Sequence, residues 1–369
     1  MKPLTIAQIA PLIESVPPRL YGGTERIVSY LTEELVAMGH DVTLFASGDS
    51  ITSATLAPVC GQALRLNPAV VDAIPYYMLM LKEVRARMRD FDILHFHIDQ
   101  FHFPLFARRA GRTVTTLHGR QDLPDLQALY RGFPEMPLIS ISHAQRGPIA
   151  DGNFAGTVLH GIPSGLLPVN LHPRGGYLAF LGRVSEEKGV DRAIAIARAV
   201  GMPLKIAAKV DKLDQPYFER VIKPLLAAGE VQFIGEIDER RKAAFLGEAR
   251  ALLFPIRWPE PFGVVMIEAM ACGTPVLAFR AGSVPEVIDD GITGLIVESV
   301  PEAVRKMGAL LGLDRARVRR QFEARFTARR MAEAYAQIYR ERLALVAQDR
   351  RGDALRPHPP GEPKGYLPH

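Results

Sequence analysis

The chain has 369 residues, of which 48% are hydrophobic and 23% charged, with a formal net charge of +5. The length suggests two domains, and the composition is that of a soluble globular protein able to bury large cores. Two cysteines, Cys60 and Cys272, exclude a disulfide scaffold and any Cys-x-x-Cys zinc or redox site.

The first apolar stretch, Leu4 to Ile13, contains Gln8 and Pro11 and meets Glu14. It reads as a buried first strand rather than a signal peptide. The charge-free stretch Gly152 to Pro173 is broken by Gly and Pro and is no membrane span. The expected location is the cytoplasm. From Arg305 to Arg351 thirteen Arg and Lys face five Asp and Glu, a local +8. Two readings stand: a solvated helical face, or contact with an anionic membrane or polyphosphate. Nucleic acid is not an expected partner, since the basic segment has few aromatics and no binding-module motif occurs.

Short apolar runs alternate with helical patterns. Strands are predicted at 4–10, 41–46, 93–97, 113–117, 138–141 and 157–159. Helices are predicted at 24–38, 73–88, 103–110 and 143–150. Residues 161–176 read as a Pro- and Gly-rich linker, after which the alternation restarts. Strands then fall at 177–181, 204–208, 231–234, 251–254, 275–278 and 294–297. Helices fall at 190–200, 215–226, 239–247, 264–271 and 301–310. Such alternation argues for two α/β domains with parallel sheets. The helix at about 327–346 carries Met331, Tyr335, Ile338 and Leu345 on one stripe, which needs a surface to bury against. Ligands bind open α/β sheets beyond the strand C-termini, so an interdomain cleft is expected.

Chemistry-bearing residues sit on the predicted loops. Gly22-Gly23-Thr24-Glu25 opens a helix, where two glycines allow close approach and free N–H groups favour an anion. A simple turn explains that pair as well. Arg183 and Lys188 flank the turn after the first strand of the second half, as diphosphate ligands or as surface cations paired with Glu186 and Glu187. No G-x-G-x-x-G or Walker loop occurs. The segment Trp258 to Pro275 is the most informative. Glu260 lies in a Pro-bounded loop, Phe262, Gly263 and Val264 start a helix with free N–H groups, and Glu268 lies on that otherwise apolar helix. A carboxylate there needs hydrogen-bond donors. Sugar hydroxyls or a buried salt bridge would supply them. Cys272 reads as packing.

This segment resembles the E-x7-E motif of retaining glycosyltransferases of family 4 (glycosyl transferases group 1), which have the GT-B fold. The resemblance runs from Gly22-Gly23-Thr24-Glu25 to Gly291-Ile292-Thr293-Gly294-Leu295-Ile296-Val297. It implies two Rossmann-like domains facing a cleft: 1–168 on the acceptor side and 174–326 for the nucleotide sugar. Residues 327–348 would pack back towards the N-terminal domain, and 349–369 would form a disordered tail. It further implies that Gly22 and Gly23 approach the diphosphate or sugar. Arg183 and Lys188 would neutralise the diphosphate, Glu268 would accept from the ribose, and Glu260 would accept from the donor sugar. Backbone N–H groups of Phe262, Gly263 and Val264 would hold the same sugar. His118 resembles the family histidine beside the donor sugar, and backbone near Gly235, Glu236 and Ile237 would hold the base.

His95 and His97 also end a strand and read as structural or acceptor-facing; His160, before Gly161, reads as a hinge. The sequence departs from the family at Ile206 to Asp211, where Lys209 adds a cation in place of a Gly-rich turn, and at His160-Gly161-Ile162-Pro163, which lacks the usual Asp. Asp90-Phe91-Asp92 spells D-x-D but precedes a strand, so no metal ligand and no cofactor are expected. The resemblance implies sugar transfer from a nucleoside-diphosphate sugar, UDP by default, to an undefined acceptor such as a saccharide, a lipid-linked glycan or a small metabolite. Transfer would proceed with retention. A non-catalytic nucleotide-sugar-binding protein of the same fold is the alternative. Peripheral contact with an anionic membrane, at its inner face, is a further expectation. It is motivated by the +8 segment and by Tyr76 to Arg87, which is apolar then basic.

Overall fold

The computed structural model describes residues 2–20, 22–227 and 231–354. Two parallel sheets organise them. The first contains β1 (Thr5–Ile9), β2 (Asp41–Ser47), β3 (Thr55–Cys60), β4 (Ile93–Phe96), β5 (Thr113–Thr116), β6 (Leu138–Ser140) and β7 (Phe154–Thr157), in the order β3-β2-β1-β4-β5-β6-β7. The second contains β8 (Leu178–Arg183), β9 (Leu204–Lys209), β10 (Val231–Gly235), β11 (Ala251–Phe254), β12 (Val276–Phe279) and β13 (Gly294–Val297), in the order β10-β9-β8-β11-β12-β13. All pairings are parallel. The fold is α/β, with two Rossmann-like domains in the GT-B arrangement.

Strands buried on both faces read as continuous apolar runs, which is why β4, β11 and β12 stand out in the sequence. Helix Gly23–Ala37 buries Ile27, Val28, Leu31 and Leu35, a spacing that puts them on one face. Each such side chain contributes about 1.5–3 kcal/mol when buried. In both sheets the winding direction reverses beside the first strand, at β1/β4 and at β8/β11. A crevice opens beyond the strand C-termini at each reversal. The loops after these four strands therefore position the site.

Several elements differ from the sequence expectation. β3 was not predicted: Pro58 interrupts its pattern and its residues are only half-buried. Helices Pro124–Gly132, Val284–Val287 and Arg315–Arg325 were also missed. β7 begins at Phe154 rather than Thr157. The expected linker is packed rather than loose. Ile162 and Leu167 are buried, and Ile162 exchanges backbone hydrogen bonds with Phe326 (3.0 Å) and Ala328 (2.8 Å).

The helix Ala328–Ala354 runs past position 348, so the expected disordered tail starts inside a helix and its remainder, 355–369, lies outside the described residues. This helix packs on helix Gly23–Ala37. It buries Met331, Tyr335 and Tyr339, while Leu345 is exposed, so the predicted stripe turns towards Tyr339. Part of the +8 segment is consumed by structure. Arg315 donates to the carbonyls of Asn170, Gly247 and Ala249, and Arg319 to those of Ser164, Leu167 and Ala271. Arg325 pairs with Asp289 at 2.7 Å. These three arginines thus cap carbonyls and join elements, while Arg305, Arg317, Arg320, Arg329 and Arg330 remain exposed.

Candidate functional site

A cavity of about 430 Å³ lies between the two sheets, at the C-terminal ends of their strands. Of the residues singled out in the sequence, Gly22, Gly23, His118, Arg183, Lys188, Lys209, Glu260, Phe262, Gly263, Val264 and Glu268 line it. Gly235 does not; it ends β10 with φ +73°, and its neighbours Glu236 and Ile237 reach the wall instead.

The cations come from β8, β9 and the turn after β8. Arg183 and Lys209 are register partners on these adjacent strands. Arg183 lies 3.6 Å from Asp214 and 3.7 Å from Glu187, and Lys209 pairs with Asp211 at 2.9 Å. Lys188 pairs directly with Glu260 and lies 5.0 Å from the centre of the Trp258 ring. The indole N–H of Trp258 also donates to Glu260, at 2.9 Å. The same carboxylate is thus fixed by a cation and a neutral donor, and it is only 8% exposed.

Glu268 is 5% exposed and accepts from Lys242 Nζ at 2.6 Å. The salt-bridge reading of this residue holds, and Glu268 also lines the cavity. Lys242 also lies 3.5 Å from Glu239. Glu239 in turn pairs with Arg26, across the cleft on the first domain. Neither Lys242 nor Arg26 was singled out from the sequence, because each acts on residues far along the chain. Glu14, 2.7 Å from Arg65, and Glu25 add two further carboxylates from the first domain. Burial pushes both above the ordinary carboxylate range.

The helix Val264–Ala271 starts at Gly263, whose φ of +76° favours glycine. Val264 and Val265 reach the cavity wall with N–H groups that have no intrahelical partner. Phe262 itself is buried in the cavity wall, and its carbonyl accepts from the Ser283 hydroxyl at 2.9 Å. Cys272 is buried, and burial pushes its thiol up to about 12.

Histidines crowd the first-domain wall. His118 follows β5, and its Nε2 lies 2.9 Å from His97 Nδ1. Burial pulls His118 down to about 3, so it is neutral at ordinary pH. His160 is not merely at a hinge: it lines the cavity and stacks on His118, with centroids 5.3 Å apart. Its Nδ1 is buried without a partner. The Asp90-Phe91-Asp92 segment lies at the opposite end of β4. There Asp92 accepts from the Thr5 backbone N–H (3.1 Å) and hydroxyl (3.2 Å), while Phe91 is core.

Comparison with known proteins agrees with this fold. Residues 169–324 match the family "Glycosyl transferases group 1" and residues 21–146 match "Glycosyltransferase Family 4". These are glycosyltransferase domains on a GT-B fold. A phosphatidyl-myo-inositol mannosyltransferase of Mycolicibacterium smegmatis is 27% identical over 344 residues, covering 84% of this chain and 84% of that protein. The solved structure of AviGT4, a glycosyltransferase involved in avilamycin A biosynthesis, shares 25% identity, with a TM-score of 0.68 over 93% of this chain and 98% of its own. The structure of Anabaena HepE in complex with UDP and glucose shares 16% identity, with a TM-score of 0.66 over 90% of this chain and 98% of its own. Among the described residues no helix is long and apolar enough to cross a membrane.

Proposed function

We propose that this GT-B protein transfers a sugar from a nucleoside-diphosphate sugar, with uridine as the nucleoside, to a hydroxylated acceptor held on the first-domain wall. One observation carries the reading: Arg183, Lys188 and Lys209 share a single cavity with Glu260, Glu268 and His118. Cations for a diphosphate, carboxylates for hydroxyls and a neutral histidine thus meet where a GT-B donor would lie. The UDP-bound neighbour supports the choice of nucleotide.

The donor would exchange its own groups for the ion pairs now present. The diphosphate takes up Lys188 and Arg183, which frees Glu260 to accept from a sugar hydroxyl. The ribose hydroxyls donate to Glu268 beside Lys242. As the bond from the anomeric carbon to the phosphate oxygen breaks, charge grows on that oxygen. Fixed cations stabilise it without reorganisation. We propose retention at the anomeric carbon. The acceptor oxygen attacks from the face that the diphosphate leaves, and its proton passes to the departing phosphate oxygen. His118 accepts from a sugar hydroxyl and orients the ring. No step uses a divalent metal.

On the acceptor side, Ile74, Met78 and Leu79 are exposed on helix Ile74–Arg87, and Phe101 and Leu105 are exposed nearby. Lys82 and Arg85 adjoin them, and Met78, Lys82, Arg85 and Leu105 line one surface hollow. Apolar residues beside cations fit an anionic bilayer, so peripheral membrane contact through this face belongs to the proposal. Sedimentation with anionic vesicles at low and high salt tests it; absence of binding at low salt contradicts it.

A panel of nucleotide sugars with chelator present tests the activity by release of the nucleoside diphosphate. Release that requires a UDP-sugar and is lost in Glu268→Ala supports the proposal. A donor that raises the melting temperature by mass action but is never turned over, with any acceptor supplied, identifies a binding protein instead.

A further inference from the structure

Behind the cavity wall lies a buried chain of hydrogen bonds whose members, other than His118, the proposed transfer does not use. It begins at His118, whose Nε2 meets His97 Nδ1 at 2.9 Å. His97 Nε2 meets Gln8 Oε1 at 2.7 Å. Gln8 Nε2 donates to the hydroxyl of Tyr339 at 3.3 Å, and that hydroxyl meets His95 Nδ1 at 2.7 Å. His95 Nε2 meets Thr116 Oγ1 at 2.7 Å, and Thr116 meets the hydroxyl of Tyr335 at 3.0 Å. Gln8, His95, His97, Thr116, Tyr335 and Tyr339 are all buried. Tyr335 and Tyr339 come from the C-terminal helix, while the other members lie on or beside β1, β4 and β5.

The chain has a direction, because an amide oxygen only accepts. With the Gln8 amide placed so that its N–H donates to Tyr339, its oxygen faces His97 and accepts a hydrogen bond from Nε2–H. Burial holds His97 well below its ordinary pKa, so it is neutral and carries one proton. Its Nδ1 is therefore bare, and His118 must donate Nε2–H to it. A neutral His118 then has a bare Nδ1. That atom has no protein partner among the described residues and is not among the buried unpartnered atoms. Since the residue lines the cavity, Nδ1 is the nitrogen open to it.

We propose that Gln8 and His97 are positioning residues that fix His118 in its Nε2–H form, so that it presents a hydrogen-bond acceptor, and no donor, to the bound sugar. Tyr339 extends this control to the C-terminal helix by orienting the Gln8 amide. The ligand chemistry follows: the group facing His118 is a hydroxyl that donates. This specifies the sugar contact within the proposed transferase reading and rests on it. The tautomer itself is a property of the unliganded protein.

The test is two-bond 1H–15N correlation on the full chain labelled with [15N]histidine, at neutral pH and without substrate, with His118 assigned by its loss in His118→Asn. The expected result is a protonated Nε2 and a bare Nδ1 on His118. Gln8→Met removes the acceptor that faces His97, and Tyr339→Phe removes the contact that orients the Gln8 amide; in each, a second His118 signal with a protonated Nδ1 appears. Transfer by Gln8→Met then falls about tenfold, the worth of one neutral hydrogen bond. A protonated Nδ1 in the wild-type protein overturns the proposal. So does a folded Gln8→Met variant with an unchanged His118 tautomer, since a purely structural glutamine would alter stability only. Should the tautomer appear as expected while no nucleotide sugar is turned over, the positioning stands and the transferase reading fails.

Discussion

Lys242 Nζ lies 2.6 Å from Glu268 Oε1, within the second domain and at the wall of the cleft. The carboxylate assigned to the ribose is therefore already satisfied in the unliganded protein. Removing one partner of a buried pair leaves a bare charge and costs about 3–5 kcal/mol. Lys242→Met is expected to lose stability near the lower end of that range, measured by urea unfolding. A loss below about 0.5 kcal/mol, the size of an ordinary surface change, contradicts the arrangement.

Glu260 accepts from Lys188 and Trp258 and lines the cavity. Glu260→Gln keeps an accepting oxygen but removes the charge. Transfer is expected to fall roughly tenfold to a hundredfold, the range for a hydrogen bond to a charged group. Steady-state kinetics with a urea titration of the same variant checks this, the titration showing that the fold survives.

Gly282 holds the loop of Glu260 from behind. Its φ is +52°, and a Cβ there would strike the backbone nitrogen and oxygen of Glu260. The backbone N–H of Ser283 also donates to Glu260 O at 3.0 Å. Gly282→Ala must shift this loop. Because small misplacements at a reacting centre cost up to about a hundredfold, activity should drop by that order. Retained far-UV circular dichroism with turnover lowered by that order is the expected pattern.

Six histidines, His40, His95, His97, His102, His118 and His160, are all held below their ordinary pKa by burial. In the unfolded chain each takes a proton near pH 6.5. The unfolded state thus binds more protons below that pH, and stability falls as pH falls. The slope is about 1.4 kcal/mol per pH unit for each group, down towards its folded pKa. Above pH 7 these groups add no pH dependence. Melting temperatures between pH 8 and 5 check this; the expected result is a plateau followed by a steep fall below about pH 6.5.

The sequence shows what lies close along the chain. Glu260 and Glu268 share one loop and helix, and Arg183 and Lys188 share one turn, so their grouping could be read directly. Strands such as β11 and β13 were visible as isolated apolar runs. Contacts across the fold were not legible. Arg26 meets Glu239 from another domain, and Lys242 meets Glu268 from another helix. His97 reaches His118 only because β4 and β5 are neighbours, and His160 joins them because the supposed linker is packed. β3 escaped notice because an edge strand that is half-buried carries no clean alternation. The arginines of the +8 segment looked like a surface, whereas Arg315 and Arg319 bond carbonyls that only the folded chain brings near.

The account depends on fixed cations holding a diphosphate between the two sheets. Calorimetric titration of UDP into the full chain, with chelator present, tests this most directly against an Arg183→Ala, Lys188→Ala double variant. The expected result is binding to the wild-type protein without divalent metal, weakened roughly a hundredfold or more in the variant. Binding that needs added metal, or equal affinity in the two proteins, would contradict it.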